Sequence, residues 1–228
     1  MIGALIPCRT GSKGIPNKNF KPFLDKPLFR WTLEAAIKSL LFDKIILSSN
    51  GGFQNLEPSG NLIVDNERPP ELSDDKASLD DVLNHYANVY PEVKVWVLLQ
   101  VTSPLRTGKD IRKAYELMQK KQFDSVVSVT PGTCMYWVKN AVEVHGKPAH
   151  IATYHIHKRP NRQEREKEWF LENGAIYVTP RYILEYTGCR LGGQIGLYVM
   201  PKNKSIEIDD SIDWKCAEMI ARNGHGLV

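Results

Sequence analysis

The sequence predicts an α/β fold: a doubly wound, mainly parallel sheet with helices on both faces. Three observations predict it. Short apolar runs alternate with helix-periodic segments up to about residue 130, the rhythm of linked β-α-β units. A glycine-bearing, cation-rich turn follows the first apolar run. A polar cluster follows a later one, and loops at strand carboxyl ends are where open α/β sheets bind ligands.

Taken in order, residues 2–6 read as a buried strand. The turn after it carries Gly11, Ser12, Gly14 and Pro16, threaded with the cations Arg9, Lys13, Lys18 and Lys21. Glycine lets a backbone approach a ligand closely and expose its N–H groups. Cations beside such groups make a site for a polyanion, most often phosphate. The spacing is that of neither common phosphate loop. Lys13 precedes Gly14 and Ile15 follows, so there is no Gly-Lys-Ser/Thr, and no Gly-x-Gly-x-x-Gly is present. On composition alone a solvated surface turn stays open as the alternative.

Residues 29–41 form a helix on an apolar stripe of Leu28, Trp31, Leu33, Ala35, Ala36, Leu40 and Leu41. A strand at 44–48, a loop at 50–60 and a third strand at 61–65 follow. Pro69 and Pro70 exclude regular structure from the stretch between Glu67 and Asp75. A helix over 78–90 takes Ser78 as N-cap, with Asp81 as its capping-box partner. The strand at 93–99 ends in Gln100, Val101, Thr102, Ser103, Pro104, Leu105 and Arg106. Those polar groups suit a base, a sugar or a phosphate, and equally suit capping the next helix, 109–121.

A fifth strand lies at 125–130. Residues 131–170 then lose the helical period and read as an inserted β-rich arm. Asn173-Gly174 before an apolar run reads as a turn or hairpin, and 194–200 as a strand. Alternation over Ile206, Glu207, Ile208 and Asp209 places both carboxylates on one face of a strand and both isoleucines on the other. Two carboxylates so placed suit a hard cation such as Mg²⁺, or an exposed acidic strand end. A helix over 211–223 closes the chain.

At 228 residues, with 42% hydrophobic and 25% charged residues, the composition is that of an ordinary globular protein. No apolar run approaches the ~20 residues that span a bilayer, and the N-terminus lacks a signal-peptide pattern, so a cytoplasmic protein without membrane partners is expected. A net charge of +4 without a concentrated basic face argues against nucleic acid. Cys8, Cys134, Cys189 and Cys216 form no Cys-x-x-Cys pair, which leaves reduced structural thiols; Cys8 lies among cations of the kind that lower a thiol pKa. His155 and His157 lack a third ligand spaced for zinc.

The segment from Pro7 to Asn19 resembles the N-terminal signature of the CMP-acylneuraminate (sialic or nonulosonic acid) synthetase family of cytidylyltransferases, Pro-Ala-Arg-x-Gly-Ser-Lys-Gly-Ile-Pro-x-Lys-Asn, with Cys8 for Ala. The stretch from Leu98 to Arg106 is similar to its Leu-Leu-Gln-Pro-Thr-Ser-Pro-Leu-Arg, with Val101 for Pro. Glu172 to Tyr177 is similar to its Glu-Asn-Gly-Ala-Ile-Tyr, and Ile206 to Asp209 to its Ile-Asp-Ile-Asp, with Glu207 for the first Asp. Arg68 matches an Arg-Pro-x-x-Leu stretch.

The resemblance implies a Rossmann-like nucleotidyltransferase fold over 1–228, with an arm at about 131–170 that dimerises and reaches into the partner's site. It implies that CTP and a 2-keto sugar acid are joined to a CMP-sugar and pyrophosphate. Arg9, Lys13, Lys18 and Asp209 would be catalytic, with Arg9, Gly11, Ser12, Lys13, Lys18, Asn19, Arg68, Ser78 and Gln100 at the nucleotide. The sugar would meet Gln100, Thr102, Ser103, Lys139, Arg162, Gln163, Asn173 and Tyr177, and Mg²⁺ would sit on Glu207 and Asp209. The loop differs from that of the related Kdo-activating enzymes. Two alternatives stay open: a nucleotidyltransferase for another nucleotide or a sugar-phosphate acceptor, and a non-catalytic sugar-nucleotide binder.

Overall fold

The computed structural model describes residues 1–224 apart from 54–55, 133–134, 145–146, 155, 158, 160, 162 and 164–168. A seven-stranded sheet forms its centre. The strands are β1 (Ile2–Pro7), β4 (Lys44–Ser48), β5 (Leu62–Asp65), β6 (Val95–Leu98), β7 (Ser125–Pro131), β10 (Phe170–Pro180) and β11 (Ile195–Val199), in the order β11-β7-β10-β6-β1-β4-β5. β10 alone runs antiparallel to its neighbours, between β6 and β7. The other pairings, β1 with β4 and β6, β4 with β5, and β7 with β11, are parallel. A short ribbon, β2 (Pro22–Phe23) with β3 (Lys26–Pro27), follows the first loop, and β8 (Trp137–Val144) with β9 (Lys147–Ala152) forms a separate hairpin.

Helices cover both faces because alternate residues of each buried strand point to opposite sides. On one side Ala4, Ile6, Leu47 and Val97 pack with α1 (Leu28–Ser39), α3 (Gly108–Lys121) and the last helix, α5 (Ser211–Arg222). On the other, Leu5, Ile46, Trp96 and Leu98 pack with α2 (Leu79–Val89) and α4 (Arg181–Thr187). Ser78, Thr107 and Asp210 each cap a helix through a reciprocal box with an Asp three residues on, so three helix starts are fixed locally. No helix among the described residues is long and apolar enough to cross a membrane.

The predicted doubly wound, mainly parallel sheet is the one observed. Four local expectations fail. The stretch read as irregular because of Pro69 and Pro70 holds one turn of 3-10 helix, Pro70–Leu72, since proline at a helix's first position gives up only an amide that has no partner there. Residues 206–209 are an extended segment outside any sheet, tied to the core by the Ile208 amide donating to the Thr102 carbonyl at 2.8 Å. The Asn173-Gly174 turn lies inside a long strand, β10, as a bulge. Cys8 is fully buried, and burial pushes its thiol pKa well up despite the nearby Arg68, so it is not activated.

Candidate active site

Because β1, β4, β5 and β6 run parallel, the loops after them emerge at one edge, and β10 enters the sheet there. A cavity of about 410 Å³ opens at that edge. Arg9, Ser12, Lys13, Gly14, Lys18 and Asn19 line it from the first loop. Arg68, Asp74 and Asp75 line it from the loop after β5, Gln100 and Thr102 from the loop after β6, and Asp209 from the acidic segment.

The first loop is held rigidly. Buried Ile15 anchors its middle, the Asn19 side-chain amide donates to the Arg9 carbonyl at 2.9 Å, and the Thr10 amide donates to Asn50 Oδ1 at 2.9 Å. Asn19 is therefore a staple closing the loop on itself. Gly14 abuts the acidic segment so closely that a Cβ would lie 2.5 Å from the Asp209 carbonyl oxygen. Lys18 reaches the same segment, its Nζ 2.5 Å from the Ile208 carbonyl and 3.3 Å from Asp209 Oδ1.

Beside the loop after β6, β10 bulges between Glu172 and Tyr177, where four of its residues face Ser128 alone. Ser128 bridges the gap, its hydroxyl donating to Asn173 Oδ1 at 2.7 Å and accepting from the Ile176 amide at 2.8 Å. The carbonyls freed by the bulge are taken up from the 100–106 loop. Ser103 donates to the Asn173 carbonyl at 3.1 Å and Arg106 Nε to the Ala175 carbonyl at 2.9 Å. Arg106 also donates to Thr32 Oγ1 at 2.9 Å and to the Gln100 carbonyl. The two motifs thus lock one another. Arg106 is buried by this role and does not line the cavity, and its burial lowers its pKa.

The same lock removes other expected contacts from the cavity. Asn173 is buried, and its Nδ2 donates to Ser205 Oγ at 2.9 Å, so both ends of its amide are used by the fold. Tyr177 is buried with its hydroxyl donating to Glu172 Oε2 at 3.1 Å and Arg190 over its ring; burial is the main cause of a pKa pushed up to about 12. Ser103 is buried and Ser78 serves as a cap, while Ala77 and Leu79 beside it line the cavity. Gly11, at φ +79°, shapes the loop without lining the cavity. Lys139 is exposed on the β8–β9 hairpin and Gln163 is exposed; Arg162 lies outside the described residues. What the bulge does deliver is Gly174, at φ +64°, facing Glu207 and Gln100.

Glu207 is half-buried and accepts from Thr102 Oγ1 at 3.3 Å. Burial first, and then the nearby Asp209 charge, raises its pKa. Two neighbouring carboxylates with Lys18 as their one close cation among the described residues, at 3.3 Å from Asp209, fit a hard, oxygen-seeking cation. No group of three or more His, Cys, Asp or Glu residues is gathered for a metal among the described residues, so the rest of a cation's shell would come from water and a bound ligand. Asp210 Oδ1 is instead engaged as a helix cap, accepting from the Ile212 and Asp213 amides at 2.7 and 3.0 Å.

The loop acids Asp74 and Asp75 join the site although no motif in the sequence marks them. Arg9 donates to the Asp74 carbonyl at 2.8 Å, and Asp75 pairs with Arg9 at 3.0 Å and Lys13 at 2.5 Å. The signal was adjacency to Arg68, but nothing in a linear sequence says that this loop folds back onto the first.

The chain matches a family model described as "Cytidylyltransferase" over residues 3–223. It is 36% identical over 220 residues to an N-acylneuraminate cytidylyltransferase of Oncorhynchus mykiss, covering 95% of this chain and 49% of the relative. An enzyme of the same name from Escherichia coli O18:K1:H7 is 32% identical over 222 residues, covering 95% and 51%. The chain therefore spans about half the length of these curated relatives. Among solved structures, a CMP:2-keto-3-deoxy-manno-octonic acid synthetase complexed with CTP superposes with a TM-score of 0.59 at 15% identity, covering 98% and 99% of the two chains. A 4-diphosphocytidyl-2C-methyl-D-erythritol synthase from Anaerococcus prevotii gives 0.64 at 12%, covering 97% and 98%. At such identities these two show a shared fold.

Proposed function

The chain belongs to the cytidylyltransferase family, and from that premise we propose that it joins CTP to a 2-keto sugar acid of the nonulosonic class, giving the CMP-sugar and pyrophosphate. The observation that carries this reading is one cavity lined by Arg9, Lys13 and Lys18 together with Asp209, whose Oδ1 lies 3.3 Å from Lys18 Nζ and whose segment also carries Glu207. Its curated relatives are named N-acylneuraminate cytidylyltransferases.

In this reading the sugar hydroxyl attacks the α-phosphorus of CTP and the bond to the β-phosphate breaks. Arg9, Lys13 and the first-loop amides hold the β- and γ-phosphates and stabilise charge on the departing pyrophosphate. Lys18, 12% exposed and anchored on the Ile208 carbonyl, lies between the phosphates and the acidic segment. Arg68, buried except at the cavity and held by Nε donation to Ser73 Oγ at 3.0 Å, presents its remaining donors to the nucleotide. Gln100 and Thr102 face the incoming sugar. Glu207 and Asp209 are the carboxylates that would hold Mg²⁺, which when bound would neutralise phosphate charge and acidify the attacking hydroxyl.

The β8–β9 hairpin exposes Tyr136, Trp137, Val138 and Ile151 on or beside its strands, an apolar surface suited to a second copy of the chain. Through it Lys139 would reach the partner's site. The working assembly is thus a homodimer in the cytoplasm, acting in surface-sugar biosynthesis. Titration calorimetry with the four nucleoside triphosphates and Mg²⁺ tests the nucleotide assignment. CTP should bind at least tenfold tighter than the others; equal or tighter binding of another triphosphate overturns it.

A further inference from the structure

Asp75 sits where the proposed chemistry calls for phosphate. Its Oδ1 is 3.0 Å from the Arg9 guanidinium and its Oδ2 is 2.5 Å from Lys13 Nζ, so one carboxylate bridges both cations. The contact is built. Asp74 Oδ1 accepts from the Lys76 and Ala77 amides, both at 2.8 Å, which folds the loop into a tight turn. The Asp74 carbonyl takes a second Arg9 donor at 2.8 Å. Together these bonds aim the Asp75 carboxylate into the cavity. Both cations hold the Asp75 pKa below the usual carboxylate range, so it is charged at neutral pH.

Resting on the phosphate-binding reading above, we propose that Asp75 is an internal competitor for the polyphosphate. It occupies Arg9 and Lys13, yields them to the triphosphate on binding, and takes them back as pyrophosphate leaves. Magnitudes allow the exchange. Asp75 is 44% exposed and Lys13 80%, and exposed pairs are individually weak. A polyphosphate brings several charges and bidentate geometry to the same donors and displaces one carboxylate. A ligand with a single phosphate competes less well, so the contact also favours triphosphates over monophosphates. When pyrophosphate is ready to leave, the tethered carboxylate replaces it without a diffusive step.

The test is titration calorimetry of the full chain with inorganic pyrophosphate, comparing wild type with Asp75→Asn and Asp75→Ser, alongside pyrophosphate inhibition of turnover. Both variants should bind pyrophosphate about three- to tenfold tighter, as expected for losing two exposed pairs. Inhibition by pyrophosphate should tighten in step, while KM for the sugar acid stays put. Combining Asp75→Asn with Lys13→Met should erase most of the gain. Unchanged or weaker binding in both variants, while wild type still releases pyrophosphate from CTP, overturns this inference alone. Failure of all forms to bind pyrophosphate overturns it together with the phosphate site.

Discussion

Gly174 and Glu207 meet with no room for one added carbon: a Cβ on Gly174 would lie 2.7 Å from Glu207 Oε1 and 2.9 Å from Gln100 Nε2. The β10 bulge brings the backbone this close, and its φ of +64° is one a side chain tolerates poorly. Gly174→Ala should therefore cost ~1–2 kcal/mol of stability from backbone strain. Its larger effect should fall on turnover, because Glu207 and Gln100 must both move. A displacement of about 1 Å at reacting groups lowers kcat/KM on the order of a hundredfold. Thermal unfolding and steady-state kinetics on the same preparation separate the two effects.

Glu207 carries a pH prediction whose sign is fixed by its raised pKa. A carboxyl with a folded pKa above its unfolded value favours the fold below the unfolded pKa, about 4.3 for Glu. That contribution is lost as pH rises through the folded value. Glu207→Gln keeps an acceptor for Thr102 and removes the charge facing Asp209. It should raise Tm at pH 7 by ~1–3 °C, a discounted figure for a half-buried group, and change nothing near pH 4. The Mg²⁺-dependent gain in Tm with CTP bound should shrink in the same variant.

Asn173 separates a structural role from a substrate contact. Its amide is bonded to Ser128, Ser205 and the Ala175 amide. Asn173→Ala should destabilise by ~2–3 kcal/mol, because it strands buried partners inside the bulge. That is a Tm fall of about 4–12 °C in a chain of this size. The folded protein should keep a KM for the sugar acid within about twofold of wild type, since uniform binding is untouched. A large rise in KM with Tm unchanged would return Asn173 to the sugar.

The alternation of strands and helices was legible because it depends on local periodicity. The strand at Lys44–Ser48 and the Ser78–Asp81 box stand where the sequence put them. The bulge was not legible, since Asn-Gly signals a turn and only packing against Ser103, Arg106 and Ser128 turns it into a kink within a strand. Alternation at Ile206–Asp209 suggested a strand, yet no neighbour pairs with it; Gly14, Lys18 and Thr102 hold it instead. At the site, the basic loop and the acidic pair were legible as types. Which polar groups face inward was not, because Asn19, Ser103, Arg106 and Asn173 satisfy backbone atoms that only the folded chain brings near.

Product formation is the decisive readout for the proposed reaction. Purified protein with Mg²⁺ would be given each nucleoside triphosphate with each of a panel of nonulosonic acids and Kdo. Pyrophosphate release and the mass of the new sugar nucleotide would be read together. CTP with a nonulosonic acid should give equimolar pyrophosphate and a CMP-sugar, both abolished by Asp209→Asn. Pyrophosphate and a sugar nucleotide formed with a different base, or from a sugar phosphate in place of the acid, would contradict the proposed reaction.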